Sequence, residues 1–154
     1  MKSIRSAGVI GAGVIGSGWI ARLLLNGIDV FVYDPSKEAP KNVNKVIENA
    51  ERVYKKLLTS DLPIKGALSF SNSISDVAKS AQLIIEAVPE RLSVKQSTYK
   101  KIESSADNSV IIASSTSGIL PSDLQAEMRH PERLIVAHPF NPVYLLPLVE
   151  IVGG

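Results

Sequence analysis

Residues 7–34, AGVIGAGVIGSGWIARLLLNGIDVFVYD, read as strand, tight glycine turn, helix and strand, and this reading decides the fold. Val9 and Ile10 close an apolar run suited to a strand buried on both faces. Gly11, Gly13 and Gly16 follow with G-x-G-x-x-G spacing. Gly11 permits the tight turn, Gly13 lets a pyrophosphate approach the backbone, and Gly16 lets the helix pack closely on the sheet. The helix beginning near Val14 points free N–H groups and its positive dipole end at those phosphates. It carries Trp19, Ile20, Leu23 and Leu24 and stops at Asn26-Gly27, a C-cap signal. Val30 to Tyr33 form a second buried strand, closed by Asp34. That carboxylate stands eighteen positions past Gly16, where an acidic residue accepts hydrogen bonds from the adenine-ribose hydroxyls. It would repel a 2′-phosphate, so the pattern favours NAD over NADP.

The 154 residues suit one domain, here 1–154, and 45% hydrophobic residues are ordinary for a globular chain. A net charge of +2, with lysines scattered among carboxylates, does not point to nucleic acid. There is no cysteine, which excludes disulfides, thiolate chemistry and thiol-ligated metals and fits a cytoplasmic location. No metal site is expected. Lys2 and Arg5 before an apolar stretch imitate a signal peptide, but so many glycines do not suit its apolar helix, and Arg22 interrupts any membrane span.

Beyond Asp34 the expected elements alternate. Pro35 to Ser60 is helical, with Val43, Val46, Ile47, Ala50, Val53, Tyr54 and Leu57 on one face, and Asp61-Leu62-Pro63 breaks it. Ala67–Phe70 is a short strand, and Ser75-Asp76 cap a helix through Ala81. Leu83–Val88 is a buried strand ending at Pro89, and Glu90 opens a helix to about Ser105. Val110–Ala113 is a strand, followed by the polar run Ser114-Ser115-Thr116-Ser117-Gly118. Pro121 starts a short helix. Leu134–Ala137 is a strand ending at His138, and Leu146–Val152 is the last. Strands alternating with helices give an α/β, Rossmann-type doubly wound sheet, mostly parallel, with helices on both faces. Ligands then collect beyond the carboxyl ends of strands, where Gly11, Asp34, Glu90, Ser114–Ser117 and His138 all fall.

With these residues assembled, the chain resembles the NAD-binding N-terminal domain of the L-3-hydroxyacyl-CoA dehydrogenase superfamily. The motifs are the glycine fingerprint, Glu90-x-x-x-x-Lys95, the serine-rich strand end, and His138-x-x-Asn141-Pro142 followed by Glu150. SSTSGILPSDLQAEMRHPER (114–133) and HPFNPVYLLPLVEIVGG (138–154) are most similar to the carnitine-oxidising branch. Two departures from the acyl-CoA members, Ser115 where they usually carry asparagine and HPFNP where they have HFFNP, point the same way.

The resemblance implies the site. Gly11, Ala12, Gly13, Val14, Ile15, Gly16, Asp34, Glu90, Lys95, Ser117 and Asn141 would bind NAD. His138 would be the general acid/base for a 3-hydroxyl, a role suited to an imidazole, which exchanges protons near neutral pH. Glu150 would fix its tautomer and Ser117 would bond the reacting oxygen. Phe140 and Tyr144 are candidates to face a substrate trimethylammonium, with Trp19 a weaker one. Taken without the motif, the same residues have plainer readings: a structural histidine, an edge-strand glutamate, a polar turn, and a surface Glu90–Lys95 pair worth little.

The implied function is NAD-dependent oxidation of a small-molecule 3-hydroxy substrate, carnitine to its 3-keto product. The alternatives are a short 3-hydroxyacyl-CoA, gulonate, or an NAD-binding module without catalysis. The resemblance also implies a C-terminal helical domain, which completes the pocket and makes a homodimer. Since this sequence stops at Gly153-Gly154, that domain is expected to be absent and the isolated chain incomplete as an enzyme.

Overall fold

The computed structural model describes residues 3–154, so Lys2 lies outside the described residues. Among the described residues seven strands form one sheet: β1 (Ser6–Ile10), β2 (Asp29–Tyr33), β3 (Leu68–Phe70), β4 (Leu83–Glu86), β5 (Ile111–Ser114), β6 (Leu134–Pro139) and β7 (Val149–Val152). Their order is β3-β2-β1-β4-β5-β6-β7. The first six strands run parallel and β7 pairs antiparallel with β6. The doubly wound, mostly parallel sheet expected from the alternation is therefore present.

Among the described residues five α-helices cover it: α1 (Val14–Leu25), α2 (Ala39–Leu57), α3 (Ile74–Ser80), α4 (Leu92–Glu103) and α5 (Pro121–Gln125). Strand residues alternate between two cores. Ala7 and Val9 join Ile20, Leu24, Val43 and Ile47 of α1 and α2. Ile10 and Ile84 join Val77, Tyr99, Ile102 and Leu124 of α3, α4 and α5 on the opposite face. Burying each large side chain contributes roughly 1.5–3 kcal/mol, so these two layers hold the strand ends in place. The strand order reverses between β1 and β4, the switch point at which such sheets bind ligands. Among the described residues, no helix is long and apolar enough to cross a membrane.

Several boundaries differ from those expected, each for a local reason. The second helix starts at Ala39 rather than Pro35. Asp34 first accepts the Ser36 N–H at 2.8 Å, and Ser36 Oγ accepts that of Glu38 at 3.2 Å, a turn that delays the helix. It ends at Leu57, because Leu58 is extended. The α3 cap is Ser73, not Ser75: its hydroxyl accepts the Asp76 N–H at 3.1 Å. β4 stops at Glu86, since the Val88 N–H turns to the Glu86 carboxylate instead of a neighbouring strand. α4 begins at Leu92, because Arg91 is still extended. β6 runs to Pro139 rather than ending at His138, because Pro139 still pairs with Val149 of β7. β7 starts at Val149 and not Leu146, whose N–H closes a turn on the Pro142 carbonyl at 3.0 Å.

Candidate functional site

At the upper rim of the sheet, Gly11 has φ +93°, and a side chain there would run into the Ala87 backbone. A Cβ on Gly16 would strike the Gly11 carbonyl, so the glycine closes the turn against the helix. A Cβ on Gly13 would meet nothing within 4 Å. Gly13 caps α1 without a side-chain bond, and the first turn holds no acidic residue. The N–H groups of that turn and the open space at Gly13 thus remain for a phosphate.

Asp34 braces this loop. Its Oδ2 accepts the Ala12 N–H at 2.7 Å while Oδ1 takes Ser36. Each oxygen keeps a second lone pair for a ribose hydroxyl. Asp34, Gly11 and Gly13 line a cleft of about 570 Å³ with Tyr33, Ile74 and Val88, within the range of small-molecule sites. The residues present therefore fit a dinucleotide: a pyrophosphate berth, a ribose acceptor and an apolar cleft for the adenine.

Ala87 and Val88 also line a second hollow of about 240 Å³, with Ile15, Glu90, Lys95, Ser115 and Ser117. Ser117 in turn lines a third, of about 310 Å³, with Thr116, Val136, His138 and Glu150. Ala87, Val88 and Ser117, each lining two of them, set the three hollows next to one another along the strand ends. The Glu90–Lys95 pair is not the surface pair that bare residues suggest, for Lys95 is only 1% exposed. Its Nζ lies 2.7 Å from Glu86 Oε1 and 3.2 Å from Glu90 Oε2.

Glu90 accepts the Thr116 hydroxyl and the N–H groups of Ser117 (3.1 Å) and Gly118 (3.4 Å). Burial acts to raise its pKa, but the Thr116 hydroxyl, the Lys95 ammonium and the Ser117 N–H together outweigh it and hold the carboxyl below the ordinary range. His138 Nδ1 stands 2.9 Å from Glu150 Oε2, on residues paired across β6 and β7. A carboxylate only accepts, so Nδ1 donates and Nε2 is left as the ring's acceptor. The Phe140 ring lies 5.8 Å from the His138 ring, tilted by 56°.

Other expected residues sit apart. Asn141 is exposed in the turn after β6 and lines none of the three hollows. Tyr144 packs against the α1/α2 core, and its carbonyl accepts the Tyr54 hydroxyl. Trp19 also packs there and donates Nε1–H to Ser115 Oγ at 3.2 Å. Val14 is 73% exposed at the mouth of the glycine turn. Glu86 and Tyr99 lie behind the site without a motif, and Ser114 of the serine-rich strand end bonds the same Glu86 carboxylate as Tyr99. The signal for them is a carboxylate closing the apolar run LIIE, which has to be matched inside the protein.

Comparison with known proteins bears on the same residues. The profile of a family described as "3-hydroxyacyl-CoA dehydrogenase, NAD binding domain" matches residues 6–154. An L-carnitine dehydrogenase of Mesorhizobium japonicum is 53% identical over 155 residues, covering 100% of this chain and 43% of its own length. Among solved structures, a 5-formyl-3-hydroxy-2-methylpyridine 4-carboxylic acid 5-dehydrogenase, described as an NAD+-dependent dismutase, matches with TM-score 0.89 and 36% identity. That match covers 99% of this chain and 50% of the other. The (S)-3-hydroxybutyryl-CoA dehydrogenase of Ralstonia eutropha matches with TM-score 0.85 and 32% identity, over 99% and 55%. The chain thus spans about half the length of these relatives, or less.

Proposed function

The chain belongs to the 3-hydroxyacyl-CoA dehydrogenase NAD-binding domain family, and from that membership we propose that it supplies the NAD site and the acid/base pair of a dehydrogenase oxidising L-carnitine to its 3-keto product. The observation that carries the reading is the row of adjoining hollows that runs from Gly13 and Asp34, past Glu90 and Ser117, to His138 and Glu150. NAD, when bound, supplies the hydride acceptor.

The chain's residues do the rest. Gly11 to Gly16 and the start of α1 hold the pyrophosphate, Asp34 the adenine ribose, and Glu90 with Lys95 the second ribose. His138 Nε2 takes the proton of the substrate hydroxyl as C3 becomes a carbonyl. Glu150 donates no proton; it holds the ring tautomer and offsets the imidazolium charge. The Ser117 hydroxyl steadies the reacting oxygen in the same groove. Phe140, 38% exposed beside His138, offers a face for the trimethylammonium, worth ~0.5–2 kcal/mol. The packing of half-buried Tyr144 against the α1/α2 core makes it the weaker candidate, and exposed Asn141 would have to turn towards the cofactor.

The likeness to a 3-hydroxybutyryl-CoA dehydrogenase supports a second reading, in which the substrate is a short 3-hydroxyacyl-CoA. A homodimer built through a helical domain outside these residues, and a cytoplasmic location, belong to the same proposal. NAD reduction by the full-length protein decides the substrate. Turnover with L-carnitine and none with (S)-3-hydroxybutyryl-CoA is expected. The reverse result favours the second reading, and NADH binding without turnover on either makes the domain a binding module.

A further inference from the structure

We infer that Glu86 is a positioning residue: through the buried Lys95 ammonium it sets Glu90, and through Glu90 it sets the loop that carries Ser117. The inference rests on the proposed roles of Glu90 and Ser117 and adds the group that organises them.

Glu86 is fully buried at the end of β4. Its carboxylate is satisfied on every side. Oε1 accepts the Lys95 ammonium at 2.7 Å and the Val88 N–H at 2.9 Å. Oε2 accepts the Tyr99 and Ser114 hydroxyls, each at 2.6 Å. Strand β4, strand β5 and helix α4 therefore meet on one carboxylate. A buried charge with four donors is held in one geometry, and it holds its counter-charge likewise.

Lys95 is nearly as buried, at 1% exposure, while the Glu90 side chain is 45% exposed. The ammonium thus faces two carboxylates from inside the protein, and Glu90, with Lys95 beside it, carries the arrangement to the wall of the hollow. There Glu90 Oε1 gathers the Thr116 hydroxyl and the Ser117 and Gly118 N–H groups. A second link runs parallel, for the Thr116 N–H reaches Ser114 Oγ at 3.4 Å. The cofactor hollow and the His138 groove share this loop, so a change at Glu86 reaches both without Glu86 touching either.

The test measures NADH affinity by fluorescence and follows the amide NMR signals of Ser117 and Gly118, in Glu86→Gln, Glu90→Gln and the double variant. Glu86→Gln should weaken NADH on the order of tenfold and shift both amides. In the Glu90→Gln background its added effect should be much smaller than in the parent chain, because it acts chiefly through Glu90. Additive losses, unchanged NADH affinity or unmoved amides in Glu86→Gln overturn the inference alone. A Glu90→Gln variant that binds NADH like the parent chain overturns the site reading and the inference with it. Should Glu86→Gln not fold, Tyr99→Phe and Ser114→Ala, each removing one hydroxyl from Oε2, replace it. About threefold losses with the same non-additivity are then expected, and unmoved amides in both overturn the inference.

Discussion

His138 and Glu150 face each other across the antiparallel β6–β7 pair, with Nδ1 and Oε2 2.9 Å apart. The pairing depends on the one strand that reverses the direction of the sheet. The chain turns back over residues 140–148, and the Phe140 N–H bonds the Leu148 carbonyl at 3.2 Å to fix the register. A one-residue slip would put Glu150 on the other face of β7. In the full-length protein, Glu150→Gln and His138→Ala should each lower kcat by about 10²–10⁴, the usual worth of a general acid/base. NADH affinity should stay within about twofold, since neither residue lines the cofactor cleft. Steady-state kinetics with a fluorescence titration measure both, and unchanged kcat would remove the pair from the mechanism.

The two halves of that pair differ in how far the sequence reveals them. Gly11, Gly13, Gly16 and Asp34 are legible because backbone geometry demands those residues at those spacings. His138 and Glu150 lie twelve residues apart around a turn, and only the family motif joins them. Glu86 is legible only as a carboxylate closing an apolar run that must find a partner, not as a residue tied to the site. Its partners Lys95, Tyr99 and Ser114 come from later elements, and nothing local says that they converge. Helix ends slipped wherever a side chain captured a backbone N–H, as Asp34 does with Ser36 and Ser73 with Asp76. Periodicity reports the buried face of a helix but not the competition at its ends.

The glycine loop separates folding from binding. Gly16→Ala drives a Cβ into the Gly11 carbonyl, so thermal unfolding should show a markedly less stable domain. Gly13→Ala meets no protein atom within 4 Å. Its melting temperature should move little, while NADH affinity falls at least tenfold because the methyl occupies the phosphate berth. Equal effects of the two substitutions on stability would contradict this division.

Under the proposed function Asp34 has two duties, and Asp34→Ala should disclose both. The Ala12 N–H loses its 2.7 Å acceptor, which loosens the glycine turn for either cofactor. The lost acceptor for the ribose 2′-hydroxyl affects NADH alone, and the lost negative charge relieves a 2′-phosphate. Fluorescence titration should therefore show NADH weakened more than NADPH, with the preference between them narrowed by about tenfold or more. Equal losses would mean that the carboxylate serves only the loop.

Lys95→Met tests the buried pair through stability. It leaves the Glu86 carboxylate fully buried with no cation beside it. Removing one partner of such a pair costs about 3–5 kcal/mol, against roughly 0–1 for an exposed pair. Urea unfolding should show a loss of the larger size. The exposed contact of Lys65 with Glu51 is the control, and Lys65→Met should cost under about 1 kcal/mol. Similar losses for both would place Lys95 among ordinary surface lysines, which its 1% exposure contradicts.

The pH dependence of stability follows from Glu90. Burial works against its ionised form, yet the Thr116 hydroxyl, the Lys95 ammonium and the Ser117 N–H prevail, and the folded carboxyl titrates below the ordinary range. A group whose pKa is depressed by folding binds its proton more readily when unfolded. Its contribution is therefore complete above the unfolded value of about 4.3 and is lost as the pH falls through the folded value. Since the Glu90 side chain is 45% exposed and screened by solvent, the gain is modest. Urea unfolding of the parent chain and of Glu90→Gln should differ most near neutral pH, with the parent more stable. The gap should close progressively below about pH 4, where the parent's carboxyl takes up the proton that glutamine already mimics. A gap that does not change with pH would show that the charge on Glu90 does no work in the fold, and would leave the Ser117 loop held by hydrogen bonds alone.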